Sequence, residues 1–277
     1  MNSQQQSEIT RLDLVNSILK AVRILDILNE KGPLGFIEIF KRTPIPKSTL
    51  FKILATLEEA GIVVRDQESA RYRLGMKLIE WGGGARSQLE VRDIARPLMR
   101  TLSEEIDCTV HLTVIAHHEV LPIESIESGN WYWHHFKYPV AIGISAPMHA
   151  TGAGKAILAF LKEEEIQVII REKGLRRFTD NTITQIDALQ EELENIRNNG
   201  YAVSDAEHDD LIRSVASPIR DQDGRVVAAL SALGIVSRLT FEKIDTIAPR
   251  VRASADEISR LMGYRPTRED EGRKNGI

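Results

Sequence analysis

Proline placement sets the helix boundaries in the first quarter of the chain. Apolar residues at helical spacing run over 15–28, and Lys31-Gly32-Pro33 ends that pattern. The next apolar stretch meets Pro44 and Pro46, which exclude a continuous helix because proline has no amide hydrogen and clashes with the preceding turn. The sequence therefore predicts a turn and then a third helix over 46–60 that starts at Pro46. The apolar stripe of the first helix consists of Val15, Ile18, Leu19, Val22, Leu25 and Leu28.

Two short β-type segments follow the third helix. They are Ile62-Val63-Val64 and Arg71-Tyr72-Arg73-Leu74, and the polar residues 66–69 join them. Three helices followed by a hairpin predict a winged helix-turn-helix, which we assign to residues 1–75. Residues 76–92 have a helical pattern, but Gly82-Gly83-Gly84 weakens it by roughly 1 kcal/mol per glycine. We expect a linker helix with a flexible connector, and a candidate hinge, at these glycines.

The larger part of the chain mixes strands and helices. The sequence predicts an α+β fold in which a largely antiparallel sheet with flanking helices occupies residues 93–265, followed by a charged tail over 266–277. A turn at Asp221-Gln222-Asp223-Gly224 joins two of the strands. The predicted strands are 110–115, 120–126, 215–219 and 226–233, and the predicted helices lie near 92–105, 150–161, 186–199 and 241–262, with a further helix opening at 163–165.

Composition excludes several classes of protein. No apolar run approaches the roughly 18 residues of a membrane helix, and the single cysteine, Cys108, allows neither an intrachain disulfide nor a C-x-x-C site. The polar N-terminus lacks a secretory signal, so we expect a cytoplasmic protein.

Residues 1–75 hold 11 basic and 9 acidic residues, a net +2, and residues 76–277 hold 25 and 31, a net −6. The asymmetry fits a DNA-binding head, although a solvated surface would give the same count.

The outer side of the third helix has the chemistry of a major-groove reader. Lysines reach phosphates or guanine, hydroxyls bond to backbone or bases, and Phe51 suits a thymine methyl. A solvated helix face would carry the same residue types. Arg71 and Arg73 alternate along the predicted wing, where they would reach phosphates or the minor groove. The candidate DNA-binding residues are Lys47, Ser48, Thr49, Phe51, Lys52, Arg71 and Arg73.

Several motifs in order resemble the IclR family of bacterial transcription regulators. Residues 46–50, 54–61 and 71–75 resemble its DNA-binding domain, and residues 149–156, 182–184, 200–203 and 237–240 resemble its effector domain. The resemblance implies a winged helix joined by a linker helix to a GAF-like effector-binding domain, in homodimers or dimers of dimers, with repression more common than activation. Phe51-Lys52 departs from the family's usual His or Tyr followed by Arg. Lysine lacks the bidentate geometry of arginine, so we expect Lys52 to contact phosphate.

The segment 149–156 has more than one interpretation. Its small residues would let a helix pack closely on a sheet, and they would also let an anionic ligand approach free amides at a helix start. The resemblance favours a carboxylate effector and implies a lining of His135, Tyr138, Gly152, Ala153, Ser204, Ser214, Ser231 and Leu233. Several of these differ from family members that bind small oxoacids. The aromatic-rich residues 131–138 would stack an aromatic or sugar-derived acid, form a subunit contact, or belong to an edge strand.

The alternative function is a metal-dependent or hydrolytic enzyme with an accessory DNA-binding head. No G-x-S-x-G nucleophile motif is present. The acidic residues over 205–210 and the pairs His117-His118 and His134-His135 offer metal-ligand chemistry, but neighbouring strand residues point to opposite faces and cannot chelate together. We interpret the acidic run as a solvated loop, of which one member would line the pocket. We expect a regulator without enzymatic activity or cofactor, whose partners are double-stranded operator DNA and a small effector.

Overall fold

The computed structural model describes residues 14–87, 90–127 and 142–265. The predictions for His135, Tyr138, the rest of the aromatic segment and the C-terminal tail fall outside these residues. The chain divides into two compact units, Met1–Gln88 and Leu89–Ile277.

The first unit contains three helices and a small antiparallel sheet, as the winged helix-turn-helix prediction requires. Its strands are ordered β1-β3-β2. Pro46 caps the third helix, which starts one residue later than predicted, and the two-residue β1 was too short to leave a pattern in the sequence. The elements are α1 Asn16–Lys31, β1 Leu34–Gly35, α2 Phe36–Arg42, α3 Lys47–Glu59, β2 Val63–Arg65, β3 Arg71–Leu74 and α4 Lys77–Ser87.

Helix α1 leaves most of its predicted apolar stripe outside the core of the first unit. Ile24 and Leu28 are buried against α2, α3 and the hairpin. The remaining core consists mainly of Leu34, Ile39, Ile45, Leu50, Leu54, Leu57, Val63 and Tyr72. By contrast, Val15, Ile18, Leu19 and Val22 are between 48% and 61% exposed. The N-terminal half of the helix therefore presents an uncovered apolar surface.

Helix α4 continues through the three glycines, contrary to the predicted interruption. Gly82, Gly83 and Gly84 are exposed, and an added Cβ at any of them would meet nothing within 4 Å. Glycine lowers helix propensity but does not forbid helical dihedral angles, so neighbouring residues of better propensity can carry the helix across the run.

The second unit is a five-stranded antiparallel sheet with helices on both faces, which confirms the predicted architecture. The strand order is β5-β4-β8-β7-β6. The edge strand β6 was not predicted. The elements are α5 Glu90–Ile106, β4 Thr109–Ala116, β5 Glu119–Ile126, α6 Gly152–Leu158, α7 Glu163–Lys173, α8 Ile186–Asn199, β6 Ala202–Asp205, β7 Ile212–Arg220, β8 Val226–Ile235 and α9 Phe241–Leu261.

The two faces of this sheet differ in chemistry. One face carries large apolar residues, including Val110, Leu112 and Leu230, and packs against α5 and α9. On the other face, small residues such as Ala216 and Ala229 pack in a second core with α6 and α8. The same face also carries Thr109, His111, Thr113, Ser204, Ser214 and Ser231, because side chains alternate along each strand and residues paired across strands share a face.

Candidate DNA-binding surface and effector cavity

Helix α3 packs through one side and exposes the predicted recognition residues on the other. Leu50, Leu54 and Leu57 are buried, whereas Phe51 is 62% exposed. The ring of Phe51 is thus an apolar surface open to contact, and its role in DNA binding stays a prediction. Of the other candidates on this helix, Lys47, Ser48 and Lys52 are exposed, and Thr49 is half-buried.

The two predicted wing arginines lie in different environments. Arg71 forms an ion pair with Glu38 of α2 at 2.8 Å, and its Nε donates to the carbonyl of Pro33 at 3.0 Å. The amide of Gly35 donates to the Glu38 carboxylate, and this hydrogen bond, with Arg71 nearby, lowers the pKa of Glu38. Arg71 thus anchors the wing to α2, and its contact with DNA stays a prediction. Arg73 is exposed.

The structure brings together all six predicted effector-binding residues that it describes. Gly152, Ala153, Ser204, Ser214, Ser231 and Leu233 line one cavity, whose described walls enclose about 80 Å³. Sequence reasoning missed several further lining residues, notably His111, Thr113 and Thr151. The cavity lies between the polar part of the sheet, the start of α6 and the loop after β6.

Helix α6 approaches the sheet very closely at this cavity. A Cβ at Gly152 would lie 2.7 Å from Ser214 Oγ of β7, and one at Gly154 would lie 2.2 Å from the carbonyl oxygen of Met148, in the segment that precedes α6. Small residues are therefore required for packing, as one interpretation of the segment proposed. Thr151 caps the helix by accepting a hydrogen bond from the Gly154 amide at 3.1 Å. Gly152 and Ala153 are the first helical residues, so their amides have no acceptor within the helix.

Hydroxyls and an imidazole form the sheet wall of the cavity. Ser204 pairs with Ser214 across β6 and β7, and His111 pairs with Ser231 across β4 and β8. His111 is buried, which lowers its pKa to about 4 because burial disfavours the charged imidazolium. The alternation Thr109-Val110-His111-Leu112-Thr113 carried the signal for its position. The predicted strand 110–115 lies within β4.

The acidic run after β6 is more ordered than a solvated loop. Glu207 is buried and accepts a hydrogen bond from Lys155 Nζ at 2.7 Å, and the same ammonium group donates to Glu192 at 2.8 Å. Burial raises the pKa of Glu207, although Lys155 opposes the rise. Asp209 lines the cavity, as one acidic residue was expected to do. Among the described residues, no three His, Cys, Asp or Glu side chains lie together as a metal site.

Comparisons with known proteins agree with the domain architecture. The model of the bacterial transcriptional regulator IclR C-terminal domain matches residues 84–260, and that of the IclR helix-turn-helix domain matches residues 17–67. The chain belongs to the IclR family. It is 30% identical to the HTH-type transcriptional regulator KipR of Bacillus subtilis (strain 168) over 248 residues, which cover 90% of this chain and 97% of KipR.

Two further comparisons extend this result. The transcriptional repressor IclR of Escherichia coli (strain K12) is 29% identical over 252 residues, which cover 90% of each chain. The crystal structure of the Thermotoga maritima IclR superposes with a TM-score of 0.69 at 33% identity, covering 91% of this chain and all of that one. The protein is thus a DNA-binding transcription regulator and not an enzyme, which overturns the alternative of an enzyme with a DNA-binding head. None of the described helices has the length and apolar character needed to cross a membrane.

Proposed function

We propose that this IclR-family protein is a ligand-responsive repressor of genes for the catabolism of a small organic, sugar-derived or aromatic acid. The observation that carries the proposal is the cavity in the second unit, where six residues that the family resemblance implied as lining meet. Its described lining combines hydroxyls and imidazoles with apolar walls, the mixture typical of a small-molecule site. Binding there would change DNA affinity only if the effector prefers one of two conformational states.

The proposed ligand is a carboxylate because the cavity presents hydrogen-bond donors. The amides of Gly152 and Ala153 lie at the start of α6, and the hydroxyls of Thr113, Ser214 and Ser231 have no hydrogen-bond partner in the part of the chain that the structure describes. A carboxylate, with or without additional hydroxyls, supplies acceptors for these donors.

The proposed operator contacts come from α3 and the wing. Lys47, Ser48, Thr49, Phe51 and Lys52 would enter the major groove, where Phe51 would contact apolar base edges and Lys52 a phosphate. Arg73 would reach the backbone beside the groove. Arg71 would add a phosphate contact while it continues to hold the wing.

The proposed assembly is a homodimer, or a dimer of dimers, that binds a pseudo-palindromic operator. The first unit exposes the apolar surface of α1 described above. On α4, Ile79 is 69% and Trp81 52% exposed, and Met76 just before the helix is 67% exposed. Apolar groups at this density on two helices favour burial against a second copy.

The test joins ligand binding to DNA binding. The full-length protein is titrated with pyruvate, D-gluconate and 4-hydroxybenzoate while its melting temperature and its affinity for DNA upstream of its own gene are measured. An effector raises the melting temperature by binding the native state and changes DNA affinity. DNA binding that none of these acids alters would count against the carboxylate proposal, and failure to bind any genomic fragment would refute the proposed operator contacts.

A further inference from the structure

Among the described residues that line the effector cavity, His111 is the most deeply buried titratable group. It lies near the middle of β4, pairs with Ser231 of β8 on one side and with Ser125 of β5 on the other, and is only 4% exposed. The ring lines the cavity. In the described part of the chain, neither ring nitrogen has a hydrogen-bond partner, and burial is the only cause of its lowered pKa. A ligand that enters the cavity can supply a hydrogen-bond partner to this ring.

The cavity has no permanent positive charge among its described lining residues. Its other titratable members are His208 and Asp209, both on the loop after β6. The lysine of α6, Lys155, is held by Glu192 and Glu207. The charged residue of β5 next to Ser125 is Glu124, which Arg92 of α5 engages at 2.7 Å on the opposite face of the sheet. Among the described lining residues, His111 is therefore the deepest protonatable partner for the anionic group of an effector.

We propose that His111 binds the carboxylate of the effector and takes up a proton from solvent as the effector binds. The inference rests on the proposed function, because it requires an anionic ligand in this cavity. In the empty protein the ring is neutral at physiological pH. A carboxylate at hydrogen-bond distance favours the imidazolium, so His111 becomes charged only when the site is occupied. Effector affinity should then rise as the pH falls.

The first measurement follows the His111 ring directly. Nuclear magnetic resonance of histidine-labelled protein gives titration curves for the seven histidines, and the resonance missing from His111→Gln identifies this one. The proposal expects titration at about pH 4 without ligand. It expects a rise of roughly two units or more with whichever of pyruvate, D-gluconate or 4-hydroxybenzoate binds. An ordinary value near pH 6.5 in the empty protein would overturn the proposal.

The second measurement determines how many protons the protein takes up when an acid binds. Calorimetric titration of the same acids at about pH 5, in two buffers of different ionisation enthalpy, should give uptake of close to one proton per bound acid, because this pH lies between the free and the bound pKa of the ring. His111→Gln should abolish this uptake and weaken binding at least tenfold at that pH, with a smaller difference at about pH 8. A purely structural role of His111 would weaken binding equally at both values, which would refute the proposal.

Two control variants separate His111 from its neighbours. His149 is buried in the wall of an adjoining cavity, and its pKa is also lowered by burial, so His149→Gln should retain the full proton uptake. His208→Gln should also retain the uptake, and its loss there would assign the proton to His208 and overturn the proposal. An acid that binds and alters DNA affinity without moving the His111 resonance would leave the proposed function intact. Failure of all three acids to bind would count against both.

Discussion

Replacement of Lys155 by methionine tests the buried ion pair behind the effector cavity. The lysine side chain is 1% exposed, and its ammonium group contacts both Glu192 and Glu207. Methionine fills the space of the apolar stem but leaves Glu207 buried without a cation, and the second carboxylate oxygen of Glu207 already has no hydrogen-bond partner among the residues that the structure describes. Removal of one partner from a buried pair costs about 3–5 kcal/mol. For a unit of this size the melting temperature should fall by about 6–20 °C.

The loss of stability is measured by thermal and denaturant unfolding, with circular dichroism as the signal. Lys173→Met is the matched control, because Lys173 pairs with Glu119 at 3.4 Å and both side chains are about one-third exposed. That pair should contribute less than about 1 kcal/mol. A loss below about 1 kcal/mol in Lys155→Met, or an equal loss in the control, would refute the reasoning.

The pH dependence of the same variant gives an independent check. Loss of the lysine removes the attraction that opposes the raised pKa of Glu207, so this pKa rises further above its ordinary value. A carboxyl whose pKa is raised by folding contributes stability at low pH that is lost as the pH rises through the folded value. The deficit in the free energy of unfolding of Lys155→Met, relative to the natural protein, should therefore be smaller at about pH 5 than at about pH 8. A deficit that is constant with pH would contradict this explanation.

Three further predictions concern DNA binding, assembly and the glycine run. Lys52→Ala should weaken DNA binding similarly for all sequences and reduce the salt slope by about 1, as measured by fluorescence anisotropy at several salt concentrations; a sequence-dependent loss would indicate a base contact instead. Ile18→Asp should weaken the homodimer at least tenfold in analytical ultracentrifugation, because a carboxylate would be buried in the proposed interface; an unchanged dimer would exclude α1. Gly83→Ala should stabilise α4 by about 1 kcal/mol and alter the effector response, and an unchanged response would count against the hinge.

Local rules were sufficient for most of the fold. Pro44 and Pro46 limit the second and third helices by geometry alone, and the apolar spacing of Leu50, Leu54 and Leu57 identifies the buried side of α3. The apolar stripe of α1 is a feature that such local rules explain only in part. Apolar spacing reports a surface that avoids water, but it does not say whether the covering partner lies in the same chain. Ile24 and Leu28 meet the first core, whereas Ile18 and Val22 remain uncovered.

The electrostatic partners in the candidate sites could not be predicted because they depend on contacts distant in sequence. Arg71 was predicted as a phosphate contact, but pairing of β3 with β1 brings it to Glu38 at the start of α2. Lys155 and Glu207 belong to different segments that meet only when α6 packs on the sheet. The cavity residues Ser204, Ser214 and Ser231 were found through the resemblance to a family, and their residue types alone do not distinguish a pocket from a solvated strand.

The electrostatic design of the cavity bears on how an effector can act as a switch. A lysine placed in the cavity would be charged and poorly solvated in the empty protein, and it would attract any anion of suitable size. His111 avoids both effects, because a neutral imidazole costs less to bury than an ammonium group. Its charge would arise only after a carboxylate has entered. The change in charge on binding would then occur at His111, in the strand pair β4–β8. The occupied and empty states would differ most in charge at this strand pair. That difference is what a conformational preference of the effector requires.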